Sequence, residues 1–208
     1  MLTMLPIMGP DLGWMHPDRI LCERFRYKHY VIRLEYEPAN VDGLEKDEFD
    51  FFTTYITVVK NGNIVGFCRL VPSFTAAVAL PLNSEFTDQE ILGGIPRPTM
   101  EISRLMVDPD LPRTEQCAAA TMIYERVCGY LSQTGVETAF AVLEPPLLYK
   151  LQRKYSAEAF TSVGRVKLSK KGERVLEHEP MKINVGVWAD VLKDIRAKRA
   201  FVPVLAAA

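Results

Sequence analysis

Arg26, Tyr30 and Tyr36, then Glu45, Asp47 and Asp50, then Arg69, then Glu101, Ser103 and Arg104 are strung in order through the first half of the chain. Several of them sit inside or beside apolar stretches that read as strands. A charge there is costly to bury unless it is paired or used. Arginines and carboxylates placed this way point to a polar site cut into an α/β core. A carboxylate can take a proton from an amine, a guanidinium can bind a carboxylate or phosphate, and a tyrosine ring can stack on a base or a cation. No Cys–His or Ser–His pairing is evident, so the chemistry has no obvious covalent enzyme intermediate.

Glu101 is the candidate base, but it serves equally as an ion-pair partner for Arg69 or Arg104. Its neighbours set a geometric test. On a regular strand Glu101 and Ser103 share one face, and Ile102 and Arg104 share the other. Glu101 and Arg104 serve one cleft only if a bulge or splay intervenes, and a bulge is therefore predicted here. Arg26, Asp47 and Asp50 read as an ion-pair cluster, either a brace for a lid or a group that meets a cationic substrate. Tyr30 and Tyr36 read as stacking rings or as plain helix packing. Arg69 could hold a carboxylate or a phosphate.

The elements that must position these residues follow from pattern. Pro17–Leu34 reads as a helix capped by Asp18, and Glu37–Asp50 as an ordered polar loop. Thr54–Val59 and Ile64–Val71 read as a hairpin turning at Lys60-Asn61-Gly62-Asn63. Ala76–Leu82 is a further candidate strand, while Phe86–Arg97 is broken by glycines and prolines. Met100–Val107 reads as the central strand, Thr114–Leu131 as a helix, Thr138–Leu143 as a strand and Pro145–Tyr155 as a short helix. Val163–Leu168, Arg174–Leu176 and Met181–Val187 read as late strands, with a turn at Lys170-Lys171-Gly172, and Trp188–Arg199 as a closing helix. That order is an α/β (α+β) three-layer α/β/α sandwich with a mixed, mostly antiparallel central sheet.

The bulk composition narrows the function classes. The chain has 208 residues, enough for one core, and is read as a single domain over 1–208. A net charge of −1 argues against a broad grip on nucleic acid. Cys22, Cys68, Cys117 and Cys128 lack metal-ligand spacing, so no metal is expected, and scattered thiols suit a cytoplasm. No apolar run is long enough to span a bilayer, and the start of the chain lacks the basic segment of a signal peptide.

The ordered polar set, with closely similar spacing, resembles the acyl-homoserine-lactone synthases, bacterial autoinducer synthases of quorum sensing built on an acetyltransferase-like (GNAT-like) fold. The match covers roughly residues 17–108; beyond that it rests on element order. The resemblance implies transfer of an acyl chain from a thioester on acyl carrier protein or coenzyme A to the amine of S-adenosylmethionine. Lactonisation then releases methylthioadenosine (MTA), and no cofactor is held permanently. It implies catalytic roles for Glu101, Ser103 and Arg104, and a place for Arg26, Tyr30, Tyr36, Asp47, Asp50 and Arg69 on the S-adenosylmethionine side. The acyl pocket is expected from Met106, Met122, Ile123, Val142, Leu143 and Leu147. Leu143 stands where members using 3-oxo chains tend to carry a hydroxyl, so an unsubstituted chain is expected. Tyr30 and Tyr36 stand where the family usually has Phe and Trp. The segment Arg113-Thr114-Glu115-Gln116-Cys117-Ala118 stands at the family's pyrophosphate-binding loop, with Gln116 in place of a glycine. Lys150, Arg153 and Lys154 on one short helix would suit an acidic carrier protein, or are a solvated face. Leu143-Glu144-Pro145-Pro146-Leu147-Leu148 also resembles the related N-acyl amino acid synthases, which acylate a free amino acid. A binding domain without catalysis is the third reading.

Overall fold

Turn chemistry builds the first hairpin. Asn61 (φ 52°) and Gly62 (φ 79°) both take the left-handed conformation, which matches strand twist in a two-residue turn. They join β2 (Thr54–Lys60) to β3 (Asn63–Ser73). In this computed structural model the described residues are 1–5, 8–9, 16–73, 99–164, 166–171 and 174–200. The expected strand Ala76–Leu82 and the segment Phe86–Arg97 lie outside them.

A short β1 (Leu2–Met4), absent from the sequence expectation, adds to the edge of β2. β4 (Thr99–Val107) pairs with β3, and β5 (Thr138–Leu143) runs parallel to β4. β8 (Arg174–Asn184) pairs with β5, then β6 (Phe160–Ser162) with β8. β7 (Lys167–Lys171) pairs with the outer part of β8. The sheet order is β1-β2-β3-β4-β5-β8-β6, antiparallel at every pairing except β4–β5.

α1 (Pro17–Arg26) begins as expected, but its cap is His16, whose ring accepts the Asp18 N–H at 3.3 Å. Asp18 sits in the first turn instead, where its charge complements the helix N-terminus. The predicted single helix to Leu34 changes character at Tyr27–Arg33, which winds as a π-helix. Wide turns of this kind re-aim side chains and recur at functional sites. α2 (Arg113–Gln133), α3 (Pro145–Lys154) and α4 (Val185–Ala200) complete the described helices. Val185 and Val187 read as strand by β-propensity, yet they open α4. The Asn184 side chain accepts the Val187 N–H at 3.1 Å and caps the helix. β8 is one strand where two were expected: Arg174–His178 pairs with β7 and Glu179–Asn184 with β5, so the polar stretch between is held in the ladder.

Helices cover both faces of the sheet. Cys22 and Phe25 of α1 pack with Tyr55, Phe67, Met8 and Met106 on one face. Ile123 and Leu131 of α2, with Trp188 and Leu192 of α4, pack over Ile56, Val58, Cys68 and Leu70 on the other. Gly66 lets α2 approach: a Cβ there would stand 3.0 Å from Ile123 Cδ1.

Candidate active site

β4 organises the site. It pairs with β5 only at Thr99–Thr138, Met100–Ala139 and Glu101–Phe140. Beyond that the two parallel strands share no ladder, and a wedge opens between their C-terminal ends. On its other side β4 pairs Ser103 with Arg69 and Met106 with Phe67. It therefore spends one residue more than β3, and Arg104 takes φ 53°. The predicted bulge is present. A left-handed conformation costs about 1–2 kcal/mol for a residue with a Cβ, which new bonds of the guanidinium offset. Arg104 Nε and Nη2 donate to Glu45 Oε1 at 3.1 and 3.0 Å. The bulge brings Arg104 to the face that carries Ser103.

That face holds a charge-balanced cluster. Arg26 Nε donates to Glu45 Oε2, and Arg26 Nη1 donates to Asp50 Oδ1 at 2.7 Å. Arg69 Nη1 reaches both oxygens of Asp47 at 2.7 Å and Asp50 Oδ1 at 3.1 Å. Arg69 Nε donates to Ser103 Oγ at 3.1 Å, and Tyr55 Oη donates to Asp50 Oδ1 at 2.8 Å. Arg19 Nη2 donates to the Asp50 carbonyl. The loop is fixed locally by a reciprocal cap: Asp50 accepts the Asp47 N–H, and Asp47 accepts the Phe49 N–H. Arginines 26, 69 and 104 thus face carboxylates 45, 47 and 50. Burial alone would raise the Asp50 carboxyl, but Arg26 and then Arg69 outweigh it and hold it well below the usual range. The Glu45 carboxyl is likewise raised by burial but brought below its ordinary value by Arg26 and Arg104.

The wedge holds a cavity of about 270 Å³, near the small end of ligand sites. Its mouth carries Tyr30, Tyr36, Ser103, Arg104, Glu144 and His178. Tyr30 and Tyr36 meet edge to face at 5.8 Å, and the Arg104 guanidinium lies 5.0 Å over the Tyr30 ring. The inner end is apolar: Ile102, Leu105, Val127, Ala141, Leu147, Leu151 and Met181 lead to Phe160 and Trp188. Tyr124, Tyr155, Phe160 and Trp188 stack with one another, and Phe160 and Trp188 are each 1% exposed. The cavity is blind at that end.

The sequence candidates divide between cluster and cavity. Tyr30, Tyr36, Ser103 and Arg104 line the cavity. Arg26, Asp47, Asp50 and Arg69 stand behind it in the cluster. The Arg26 and Arg69 side chains are 0% exposed, so no substrate carboxylate or phosphate reaches Arg69 in this structure. Glu101 is fully buried on β4 and is not among the residues that line the cavity.

Of the expected acyl pocket, Val142, Leu143 and Leu147 line the cavity. Met106 does not. The bulge that carries Arg104 across the sheet also shifts the alternation, and Met106 packs on the α1 face with Phe67. Ile123 and Met122 miss the cavity by a helical rotation: Tyr124 and Val127, three residues apart, present the lining stripe of α2. Tyr124, Phe160 and Trp188 escaped the sequence reading; aromatic residues flanking the wedge elements were the available signal. The loop before α2 differs from a glycine-rich cradle, because the Gln116 side-chain amide donates to the Pro109 and Leu111 carbonyls at 3.0 and 2.7 Å. Lys150, Arg153 and Lys154 border a separate surface cleft with Pro146 and Tyr149.

Residues 25–121 match the acetyltransferase (GNAT) domain family. No curated protein sequence matches the chain. Solved structures do. TofI, in a ternary complex with an inhibitor and MTA, aligns at TM-score 0.69 and 15% identity over 91% of this chain and 97% of its own. BjaI, a CoA-dependent acyl-homoserine lactone synthase with SAM and isopentyl-CoA, aligns at 0.70 and 18% identity over 91% and 87%. FeeM, an N-acyl amino acid synthase from uncultured soil microbes, aligns at 0.60 and 17% identity over 91% and 94%. The chain carries the GNAT-like fold that these proteins share. Among the described residues no helix is long and apolar enough to cross a membrane.

Proposed function

We propose that this protein is an acyl-homoserine-lactone synthase of quorum sensing. The observation that carries the reading is one cavity that joins a tyrosine–arginine mouth to a blind apolar end. The apolar end suits an acyl chain and the mouth suits an adenosyl sulfonium, whose charge and rings favour tyrosine faces. The S-adenosylmethionine amine attacks the thioester carbonyl at the mouth. Its carboxylate then closes the lactone and expels MTA.

Arg104 is the group for the developing thioester oxyanion: Nε and Nη2 bond Glu45, and among the described residues no bond takes Nη1. Ser103 holds Arg69 and so ties the mouth to the cluster. Arg26, Asp47, Asp50 and Arg69 brace the loop that backs Tyr30, and Glu101 is a positioning residue on β4. Cys68 also lines the cavity, but burial pushes its thiol up to about 12. It is not a thiolate nucleophile at neutral pH, which supports direct transfer to the amine.

Val142, Leu143 and Leu147 belong to the acyl wall with Ile102 and Trp188. Leu143 offers no hydrogen bond, which favours an unsubstituted chain. The inner edges of β4 and β5 present backbone groups to the wedge, as an amide-bearing pantetheine arm requires. Lys150, Arg153 and Lys154 suit an acidic acyl carrier protein as donor, and acyl-CoA is the other source. The reduced cysteines support a cytoplasmic setting.

The test is mass spectrometry of the purified protein with S-adenosylmethionine and a panel of acyl-carrier-protein and acyl-CoA thioesters. Methylthioadenosine together with an acyl-homoserine lactone is the expected result. Thioester consumption only when free amino acids are added would replace this reading with an N-acyl amino acid synthase, which FeeM's similar fold keeps in view. No reaction with any pair would leave a binding domain.

A further inference from the structure

Acyl transfer to an ammonium needs a proton acceptor, and Glu101 is not among the residues that line the cavity. The titratable groups that do line it are few. Arg104 is a cation, with burial opposing its charge but Glu45 outweighing burial to raise its pKa. Burial pushes the Tyr30 and Tyr124 phenols up, and Cys68 is pushed up to about 12. Tyr36 contributes a phenol hydroxyl. Glu144 and His178 remain.

The register puts both at the reacting end. Past the last paired residues, Glu101 and Phe140, Arg104 stands on the β4 side of the wedge and Leu143 on the β5 side, and both line the cavity. Leu143 is in turn level with Glu179 on β8. Arg104, the Leu143–Glu144 end of β5 and the His178–Glu179 stretch of β8 therefore ring one mouth. His178 itself lines the cavity. Met181 and Ile183 line the cavity, and in a regular strand His178 and Leu176 would face the other way. All four line it, with Pro180 between the two pairs. Pro180 has no N–H for the ladder, and Gly164 packs against it so closely that a Cβ would stand 2.5 Å from Pro180 Cγ.

We propose that His178 accepts the proton of the attacking amine and that the Glu144 carboxylate draws the ammonium to it. This inference rests on the acyltransferase reading of the same cavity. The ammonium gives one proton to the neutral imidazole and becomes a free amine. Its nitrogen forms the bond to the thioester carbon, and the carbon–sulfur bond breaks. The second nitrogen proton goes to the leaving thiolate, and the imidazolium returns its proton to solvent. Glu144 stands at the N-terminal end of α3, makes no side-chain cap bond there and lines the cavity. The charged groups around His178 among the described side chains are Glu144 and Arg104, which line the same cavity, and Glu177 and Glu179 on its own strand.

The experiment is the pH dependence of turnover for the wild type, His178→Gln and Glu144→Gln, with the amine and thioester that support wild-type activity, and with melting temperatures as a fold control. His178→Gln lowers kcat about 100-fold or more at pH 7. It also removes the acidic limb in the window of about pH 5–8 where imidazoles titrate. The deficit shrinks above about pH 8, where an α-amine loses its own proton. Glu144→Gln raises KM for the amine more than it lowers kcat. Wild-type kcat in His178→Gln, or a loss equal at every pH, would overturn the assignment while leaving the acyltransferase reading intact. A wild type inert with every amine and thioester would end both.

Discussion

The two faces of β4 treat side chains in opposite ways. On the face of Glu101 and Ser103, every cluster arginine meets a carboxylate, and the Arg26 and Arg69 side chains are sealed from solvent. On the wedge side, Ile102 and Leu105 look into an open apolar cavity whose polar groups stand only at its mouth. The first region pairs its charges internally, leaving only Arg26 Nη2, Arg69 Nη2 and Arg19 Nε of its arginine nitrogens buried without a partner among the described residues; the second is shaped for something else to fill it. Charges that look catalytic in a sequence are here mostly a brace, and the chemistry falls to the few residues that straddle both regions. Arg104 is the clearest of these, bonded to Glu45 on one side and lining the cavity on the other.

The largest effect is expected in the brace. Arg26→Met leaves Glu45 and Asp50 short of their main partner in a buried setting, and it should lower unfolding free energy by about 3–5 kcal/mol. A urea titration with an unchanged slope and an earlier midpoint is the readout. Arg104→Ala should reverse the balance of losses. Its side chain is 22% exposed and Arg26 still holds Glu45, so the melt shifts less. Turnover falls about 100-fold or more if Arg104 meets the oxyanion. Equal loss of stability in the two variants would erase the distinction between brace and mouth.

Smaller effects test each region from within. Ala141 is the smallest side chain lining the inner cavity. Ala141→Val should shorten the preferred acyl chain, with discrimination near 1–3 kcal/mol per lost methylene contact in kcat/KM across a thioester series. Glu23, buried beside the brace, is its weak point: burial and then Asp50 raise its carboxyl above the ordinary value. A raised carboxyl contributes stability when protonated and loses it as pH climbs through the folded value. Glu23→Gln should therefore raise the melting temperature at pH 7, with the gain gone below about pH 4, where the wild-type side chain is also neutral. Asp50 runs the other way. Its lowered carboxyl adds stability above the unfolded value, lost only in strong acid.

Much of the frame was legible in the chain because the signals were local. Asn61-Gly62 dictates its turn, and charges inside apolar runs demand partners. The conflict between Glu101 and Arg104 on one strand called for a bulge, and Arg104 supplies it. The same bulge explains the main error: carried past Arg104, the shift in alternation moves Met106 to the α1 face and Leu105 to the cavity. Other features depended on distant contacts that no local pattern encodes. The π-helix at Tyr27–Arg33 is one, tied at its ends to Asp108 and Asp110. The place of Leu176 and His178 of β8 in the cavity lining and the aromatic end of the cavity are others.

The most direct test of the division between brace and cavity is a crystal structure with an unreactive acyl-pantetheine thioether. The account predicts the acyl tail between Ile102, Val142 and Leu147 with its end against Trp188, the sulfur beside Arg104, and the Arg26–Glu45–Asp50 bonds unchanged. A tail bound elsewhere, or entry of the ligand by displacing Asp47 or Asp50 from Arg69, would contradict it.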